Sequence, residues 1–297
     1  MKRILITGGS GFIGTNLIKR LLEQKHEVIN VDKEDSPLGI KTVKIDLADT
    51  DFSFLDGLEF DYVVHLAALS NPRMCADMDA AFETNVNAMF KMFSKLAKRK
   101  LKKAIFMSSI VVYSDNAKLP INELSELDIY HDNYCFTKGL CEDICELFRR
   151  KEKMPIITFR LSNIYGPHQG TVKFPNLVPQ LMLQAMQKKK LEVWNKDPIR
   201  DWVYVKDAVE AIIAALDSDY NGTMNLGTGI GTSVGDVAKT LSEISGAELG
   251  FLNKPASPPL KVVCDISRIK KELNWSPKTS VKEGIRETYE YYKKVIK

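Results

Sequence analysis

Residues 2–14 read K-R-I-L-I-T-G-G-S-G-F-I-G, and this stretch decides the fold. The run at 4–6 is apolar without alternation, which is typical of a central parallel strand covered on both faces. Residues 9–14 then satisfy G-x-G-x-x-G at the start of a predicted helix. Such glycines allow a tight turn and close approach of the backbone to a pyrophosphate, whose charge faces the free amides of the helix. The stretch therefore predicts a dinucleotide-binding loop.

A second strand pattern follows one helix later and ends at Asp32. At this distance an acidic side chain takes a ribose 2'-hydroxyl, and it would repel a 2'-phosphate. We therefore expect NAD as the cofactor in preference to NADP, although Lys33 beside Asp32 leaves that choice open. The alternative interpretation of Asp32 is a solvated carboxylate at the end of a strand.

The bulk properties narrow the class of protein. A chain of 297 residues predicts one large doubly wound domain or a large domain with a smaller cap. The net charge of +4 is slight and no basic stripe contains interleaved aromatics, so we expect no nucleic-acid partner. Five scattered cysteines without a C-x-x-C pair indicate reduced thiols, and four dispersed histidines predict no metal site. The first predicted strand leaves no room for a signal peptide before it, and no apolar run is long enough for a bilayer, so we expect a cytoplasmic protein without membrane contact.

Strand and helix patterns alternate through the first half, which predicts an α/β fold with a Rossmann-type doubly wound parallel sheet. The predicted strands are 3–7, 27–32, 42–46, 62–66, 104–108 and 156–160. Eight prolines after residue 160 divide the rest into short elements, as expected of a smaller C-terminal substrate-binding cap. We therefore expect an NAD-binding domain at 1–163 and a mainly substrate-binding region at 164–297, with about 199–226 returning to the Rossmann core.

Two long helices are predicted at 77–98 and 133–151, each with apolar residues at helical spacing. These apolar faces either cover the sheet or stay partly exposed. If they are exposed, two copies of the chain pair through a four-helix bundle, and we expect such a homodimer.

Tyr134 and Lys138 are four residues apart and so lie on one face of a helix. An adjacent ammonium favours the phenolate form of a tyrosine, which makes the phenol a better base. Ser108 and Ser109 close the fifth predicted strand, and their hydroxyls would point into the same crevice. His65, at the end of the fourth strand, is read as a packed strand histidine and not as a catalyst.

The motifs taken together resemble the extended short-chain dehydrogenase/reductase family, and within it the NAD-dependent nucleotide-sugar epimerases and dehydratases. The resemblance covers essentially the whole chain. The segments that carry it are Thr7-Gly8-Gly9-Ser10-Gly11-Phe12-Ile13-Gly14, Asp32, His65-Leu66-Ala67-Ala68, Ser108-Ser109, Tyr134-x-x-x-Lys138, Arg160-Leu161-Ser162-Asn163-Ile164-Tyr165-Gly166-Pro167 and Arg200-Asp201-Trp202-Val203-Tyr204-Val205.

The resemblance implies a role for each matching residue. Tyr134 would be the base, Lys138 its electrostatic partner and a ligand of the nicotinamide ribose, and Ser109 a hydrogen-bonding group at the sugar hydroxyl. The expected cofactor contacts are Gly8, Gly11, Phe12, Ile13, Gly14, Asp32, Asp46, Leu47, Leu66, Ala67, Ala68, Asn85, Ser108, Tyr134 and Lys138. The expected substrate contacts are Ser109, Asn163, Asn176 and Arg200. Two alternatives stay open: Asp46 either faces the adenine or caps a helix, and Arg200 with Asp201 either binds a diphosphate or forms a structural ion pair.

The expected reaction follows from two residues. In the 4,6-dehydratases that the chain resembles, an Asp-Glu pair follows the catalytic hydroxyl, and in the decarboxylases a Glu takes the second position. This chain has Ile110 and Val111 there, and neither can move a proton. We therefore expect C4 epimerisation of a nucleotide hexose, by default a UDP-hexose, through a transient 4-keto sugar. The alternatives are a nucleotide-sugar reductase or dehydratase and, from another class, a non-catalytic NAD sensor.

The chain also departs from the family pattern around the diphosphate. A second arginine expected before Asp265 is missing from 254–261, so its role would pass to Lys254 or Lys261. Val262 falls where a bulky residue narrows the sugar pocket in glucose-specific epimerases, and its small side chain would tolerate an N-acetyl group.

Overall fold

The computed structural model describes residues 1–170, 176–256 and 258–296. The strands, in chain order, are β1 (Arg3–Thr7), β2 (Glu27–Asp32), β3 (Thr42–Lys44), β4 (Tyr62–His65), β5 (Lys103–Ser109), β6 (Ile156–Leu161), β7 (Asn163–Tyr165), β8 (Lys190–Val193), β9 (Ile199–Tyr204), β10 (Gly222–Leu226), β11 (Gly231–Ser233) and β12 (Glu248–Phe251). The helices are α1 (Phe12–Glu23), α2 (Met78–Ala81), α3 (Ala88–Leu96), α4 (Asn133–Lys151), α5 (Leu177–Gln187), α6 (Val205–Leu216), α7 (Val234–Ser245), α8 (Ser267–Leu273) and α9 (Val281–Val295).

Seven strands form one parallel sheet in the order β3-β2-β1-β4-β5-β6-β10. The connection direction reverses between β1 and β4, and a ligand crevice forms at such a switch point outside the carboxyl ends of the strands. The predicted α/β doubly wound sheet is confirmed.

Both faces of this sheet are covered. Ile4 and Ile6 pack into one buried cluster, whereas Leu5 between them packs into the other. Neighbouring residues of a strand point to opposite faces, so an apolar run without alternation is what two covered faces require.

Element bounds differ from the prediction in two places that matter for the site. β3 ends at Lys44 because Asp46 caps a 3-10 turn, its carboxylate accepting a hydrogen bond from Ala48 N. The long helix predicted at 77–98 is divided, since α2 and α3 are joined by a π-helical turn at Phe82–Asn87. Helix α4 has the bounds that were predicted.

The C-terminal half adds two small sheets. One contains β11, β9 and β7, and the other pairs β12 with β8. β10 lies beside β6 in the main sheet, while the domain boundary at 163 stays a prediction. Among the described residues, no helix has the length and apolar character needed to cross a bilayer. Phe90 on α3 and Leu147 on α4 are exposed, and pairing of two copies through these helices also stays a prediction.

Candidate active site

A cavity of about 620 Å³ opens at the carboxyl edge of the seven-stranded sheet. Every predicted cofactor residue except Asn85 lines it, together with Ser109, Asn163 and Asn176. A second cavity of about 350 Å³ contains Arg200. The two cavities share the wall formed by Ser109, Val111, Leu161, Ser162 and Asn163.

The glycine loop leaves no space for side chains where it meets β4. Gly8 has φ +72°, and a Cβ there would lie 2.5 Å from Ala67 N. Helix α1 begins after Gly11, and among the described residues no side chain caps it. The amides of its first turn are therefore available to an anion, and the loop fits a pyrophosphate.

Asp32 lies at the end of β2 against this loop. Its carboxylate accepts hydrogen bonds from Ser10 N at 2.9 Å and from Glu34 N at 3.0 Å. Lys33, whose positive charge left NADP open as an alternative cofactor, has its Nζ 3.9 Å from Asp46 Oδ2. Its charge is thus paired with a carboxylate. Asp46 both caps the 3-10 turn and lines the cavity, and its two interpretations are therefore compatible.

The structure places Asn85 behind the cavity wall. Its side chain is 2% exposed, accepts a hydrogen bond from Leu69 N at 2.8 Å and donates to Thr137 Oγ1 at 3.1 Å. Asn85 thus links the segment after β4 to helix α4 through the π-helical turn. A direct contact between Asn85 and the cofactor stays a prediction.

His65 is packed as the sequence indicated. Its Nδ1 lies 2.6 Å from Thr7 Oγ1, and its ring stacks on Phe106 with centroids 6.0 Å apart. Burial, and then the charge of Lys138, lowers the pKa of His65 from 6.5 to about 3. The imidazole is therefore neutral at pH 7.

Tyr134, Lys138 and Ser109 meet at the ends of α4 and β5. All three side chains are buried, and Ser109 forms a hydrogen bond with the Tyr134 hydroxyl. Lys138 Nζ donates to Met107 O at 2.8 Å and lies 5.9 Å from the centroid of the Tyr134 ring. The three predicted catalytic residues are thus brought together at the cavity wall.

The charge of Lys138 is not the main influence on the pKa of Tyr134, contrary to the prediction from their spacing. Burial raises the pKa of Tyr134, and the hydrogen bond from Ser109 opposes this only in part. Burial also lowers the pKa of Lys138. The phenol is therefore protonated in the protein alone, and a further positive charge is needed before it becomes a base near pH 7.

The second cavity corrects the ion-pair interpretation of Arg200 and Asp201. The Asp201 carboxylate is fully buried and accepts hydrogen bonds from Thr228 N at 2.7 Å and Gly229 N at 2.9 Å. Arg200 donates instead to the carbonyl of Ile199 at 3.0 Å. Within the described part of the chain, the guanidinium of Arg200 has carbonyl partners, at Ile199 and Leu260, and no ion pair. Burial lowers the pKa of Arg200, and the charge of Asp115 opposes this in part. Its charge is therefore available to an anionic ligand.

Two buried residues near the site were missed by the sequence analysis. Gln169 lines the larger cavity and is 7% exposed; its Nε2 donates to Ile164 O, and its Oε1 has no partner among the described residues. Glu142 lies on α4, four residues after Lys138, in contact with Ser108. Gln169 lies two residues after the motif that ends at Pro167, and Glu142 continues the four-residue spacing of Tyr134 and Lys138. Both positions could therefore have been found from the sequence.

Asn163 and Asn176 also line the larger cavity. Asn163 Oδ1 is buried without a hydrogen-bond partner in the described chain, and Asn176 precedes α5 without capping it through its side chain. Buried amides normally have partners, so Asn163 is suited to a polar ligand. Asn176 is exposed at the cavity and is free of a capping role. No cluster of three or more potential metal ligands occurs in the described ranges.

Comparison with known proteins gives consistent matches along the chain. The family model described as NAD dependent epimerase/dehydratase matches residues 4–227. A protein of Bacillus subtilis (strain 168), described as an uncharacterized UDP-glucose epimerase, is 30% identical over 97% of this chain and 97% of its own length. UDP-glucuronic acid decarboxylase 1 of Xenopus tropicalis is 28% identical over 99% of this chain and 73% of its own length. The structure of UDP-glucose 4-epimerase from Thermotoga maritima with UDP-glucose is 27% identical, with a TM-score of 0.90 over 99% of this chain and 100% of that one.

Proposed function

Because the chain belongs to the NAD dependent epimerase/dehydratase family, we propose that it epimerises a nucleotide-activated hexose at C4 through a transient 4-keto sugar. The family resemblance drawn from the motifs is confirmed, and NAD is the cofactor of the family. The relatives include epimerases and a decarboxylase, so the reaction has to be argued from the site.

One observation carries the proposal. Ser109, Tyr134 and Lys138 meet at the wall of the larger cavity. After Ser109, the next residue along the chain that lines this cavity is Val111. Ile110 lines the second cavity beside it. The site thus holds a group that could transfer a proton at one carbon of a bound sugar. At the two positions where elimination would need an acid and a base, the chain has aliphatic side chains. Oxidation and reduction at a single carbon is the chemistry that this set supports.

The larger cavity fits NAD. The uncapped first turn of α1 lines the larger cavity, where its amides would bind a pyrophosphate, and a Cβ on Gly8 would fill the space next to Ala67. Asp32 would hold the adenosine ribose and Lys138 the nicotinamide ribose. When bound, NAD would supply a positive charge and the acceptor that takes the C4 hydride and returns it.

The side chains around Tyr134 divide the proton transfer between them. Tyr134 would take the proton of the C4 hydroxyl and later return it, with Ser109 donating a hydrogen bond to the reacting oxygen. Lys138 would keep its ammonium near the phenolate, where the charge lowers the cost of deprotonation. The side chains of Tyr134 and Lys138 are almost fully buried, so a bound cofactor and sugar would separate them from water during the transfer.

The smaller cavity supports an anionic group on the substrate. Arg200 and Lys261 both line it, and a diphosphate needs such cations at a partly dry site. The Lys254 ammonium lies over the Trp194 ring, 4.3 Å from its centroid. Of the two lysines considered for the missing arginine, Lys261 is therefore the one we assign to the diphosphate.

The proposal is tested by mass and by cofactor balance. We expect purified protein to interconvert UDP-glucose and UDP-galactose, or their N-acetyl or uronate analogues, without added NADH. Product and substrate would have the same mass, whereas a dehydratase product lacks one water and a decarboxylase product lacks carbon dioxide. A reductase would consume NADH in proportion to product. Any of these three results would replace epimerisation.

The variant Tyr134→Phe separates an enzyme from an NAD sensor. We expect turnover to fall by about 10²–10⁴-fold, the usual contribution of a general acid–base, while NAD stays bound. Tyr130→Phe is the matched control because Tyr130 is 79% exposed on the approach to the same helix. Equal activity of the Tyr134 variant and this control would remove Tyr134 from the mechanism.

A further inference from the structure

Glu142 continues the row of Tyr134 and Lys138 along helix α4. Residues four and eight positions apart on a helix share a face, and this face is turned toward the sheet. Glu142 is 9% exposed, so its carboxylate lies in the protein interior. A buried carboxylate needs specific partners, and those of Glu142 come from the two strands that end at the site.

The Glu142 carboxylate joins β5 to β6. Its Oε1 accepts a hydrogen bond from Ser108 Oγ at 2.6 Å, and its Oε2 accepts one from a terminal nitrogen of Arg160 at 2.7 Å. Arg160 Nε lies 3.1 Å from both carboxylate oxygens. Ser108 and Arg160 are direct partners in the register of β5 and β6. One side chain of α4 therefore ties the helix to both strands at the same level.

The partners of Glu142 are themselves held from the far side. The Arg160 guanidinium lies over the Tyr113 ring, 4.7 Å from its centroid, and donates to Glu123 O at 3.3 Å. The Tyr113 hydroxyl donates to Asn225 Oδ1 at 2.6 Å, on β10. Arg160 thus has a fixed position against which Glu142 can hold the helix.

We propose that Glu142 is a positioning residue that sets where Tyr134 and Lys138 lie relative to Ser109. Ser109 follows Ser108 directly, and Lys138 precedes Glu142 by one helical turn. A shift of α4 along the sheet would move the phenol and the ammonium together away from the serine. The tie made by Ser108, Glu142 and Arg160 opposes that shift one residue from Ser109 and one helical turn from Lys138.

The charges around Lys138 allow this role to be measured. The ionisable side chains that act on Lys138 or are acted on by it are Tyr134, Cys141, Cys145, Cys75, His65 and the Glu142–Arg160 pair. Burial raises the pKa of each of these thiols and lowers that of His65, so all four are neutral at pH 7. Of the groups that raise the pKa of Lys138, Glu142 is then the charged one, and it is paired with Arg160.

The test rests on the proposed turnover, and its variants are chosen to separate position from charge and from folding. Glu142→Asp keeps the charge but shortens the reach to Ser108 and Arg160. The double variant Glu142→Leu with Arg160→Met removes the pair together and leaves no unpaired buried charge, which often preserves stability. We expect both to bind NADH within about threefold of wild type and to lose at least about tenfold in kcat, with a smaller change in KM.

The pH profile of kcat gives a second measurement, which a purely structural role of Glu142 would leave unchanged. Glu142 raises the pKa of Lys138, so Glu142→Gln, which leaves Arg160 charged, should shift the alkaline limb to lower pH. The double variant removes both charges and should shift it less. The control is Glu146→Gln on the same helix. Glu146 is 41% exposed and pairs with the exposed Arg150 and the more buried Arg149, and we expect wild-type kinetics.

Several outcomes would overturn the inference. One is a folded double variant with kcat within twofold of wild type. Another is a loss of kcat in every variant that only matches its loss of folded protein, with an unchanged pH profile. If the double variant does not fold, the kcat of Glu142→Asp decides by the same criteria. An inactive wild-type protein would refute the proposed function instead, and a crystal structure of Glu142→Asp with an unmoved Tyr134 would then refute the positioning role separately.

Discussion

The two cavities of this protein are built in different ways. The larger one is shaped by backbone, through the glycine loop at the start of α1 and the strand ends of the parallel sheet. The smaller one is shaped by side chains from segments far apart in the chain, such as Tyr113, His131, Arg200 and Lys261. A backbone site restricts residue types at fixed spacing, so its ligand can be read from sequence. A site made of separate side chains leaves no such pattern.

The largest expected effect comes from adding one methyl group to the glycine loop, which tests whether backbone geometry determines the larger cavity. Gly8→Ala must adopt φ +72° and must place its Cβ 2.5 Å from Ala67 N. A left-handed conformation costs about 1–2 kcal/mol and overpacking typically adds about 1–3 kcal/mol. We expect the free energy of unfolding to fall by about 2–5 kcal/mol and the affinity for NADH to fall by at least about tenfold, measured by urea denaturation and fluorescence titration.

Gly39→Ala is the matched control for that variant. Gly39 has φ +69°, but a Cβ there would meet nothing within 4 Å among the described residues. We expect this variant to lose only the conformational term and to bind NADH as wild type does. If both variants lost NADH affinity equally, the close approach at Gly8 would have no special role.

The smaller cavity is tested by removing its cations one at a time. Arg200→Ala should raise KM for the nucleotide sugar about 10–100-fold, because a hydrogen bond to a charged group is worth about 1.5–3 kcal/mol. Lys261→Ala should raise it about two- to fivefold, since the ammonium is exposed. Lys254→Ala should leave it unchanged. Steady-state kinetics measure all three, and a larger effect at Lys254 than at Lys261 would reverse our assignment.

A further expected effect concerns pH and His65, the buried histidine at the end of β4. The pKa of His65 is about 3 in the folded protein and 6.5 by its usual value, so the unfolded chain binds the proton first. Stability should therefore fall as pH falls below 6.5, by up to about 1.4 kcal/mol per pH unit from this group, and its contribution should be constant above 6.5.

Urea denaturation between pH 7.5 and 5 measures that slope. His65→Gln should reduce the loss of stability on acidification, whereas His131→Gln, on an exposed residue, should keep the wild-type slope. An unchanged slope in His65→Gln would show that other groups cause the acid dependence.

The sequence was sufficient where a residue type is dictated by local geometry. The strand at 4–6, the glycine loop and the bounds of α4 followed from apolar spacing and from glycines at fixed intervals. The π-helical turn at Phe82–Asn87 did not; its buried Asn85 bonds to Leu69 and Thr137, which belong to other segments of the fold. Tertiary contacts of this kind have no periodic signal.

The electrostatics of the site were the least predictable part. The spacing of Tyr134 and Lys138 correctly put them together, but the pKa of Tyr134 is governed by burial, which spacing does not report. Asp201 stands next to Arg200 in sequence, yet its carboxylate faces the turn at Thr228. Neighbouring residues of a strand point in opposite directions, so adjacency there argues against an ion pair.

The wall shared by the two cavities includes Val111 and Leu161 beside the polar Ser109 and Asn163. In the proposed reaction the keto sugar must present first one face and then the other to the same cofactor. Contacts with aliphatic side chains have no preferred direction, so a sugar ring that turned against Val111 and Leu161 would break no hydrogen bond there. The rotational barrier would then come from the few polar contacts alone, and these are the contacts that the two faces of the sugar would have to exchange.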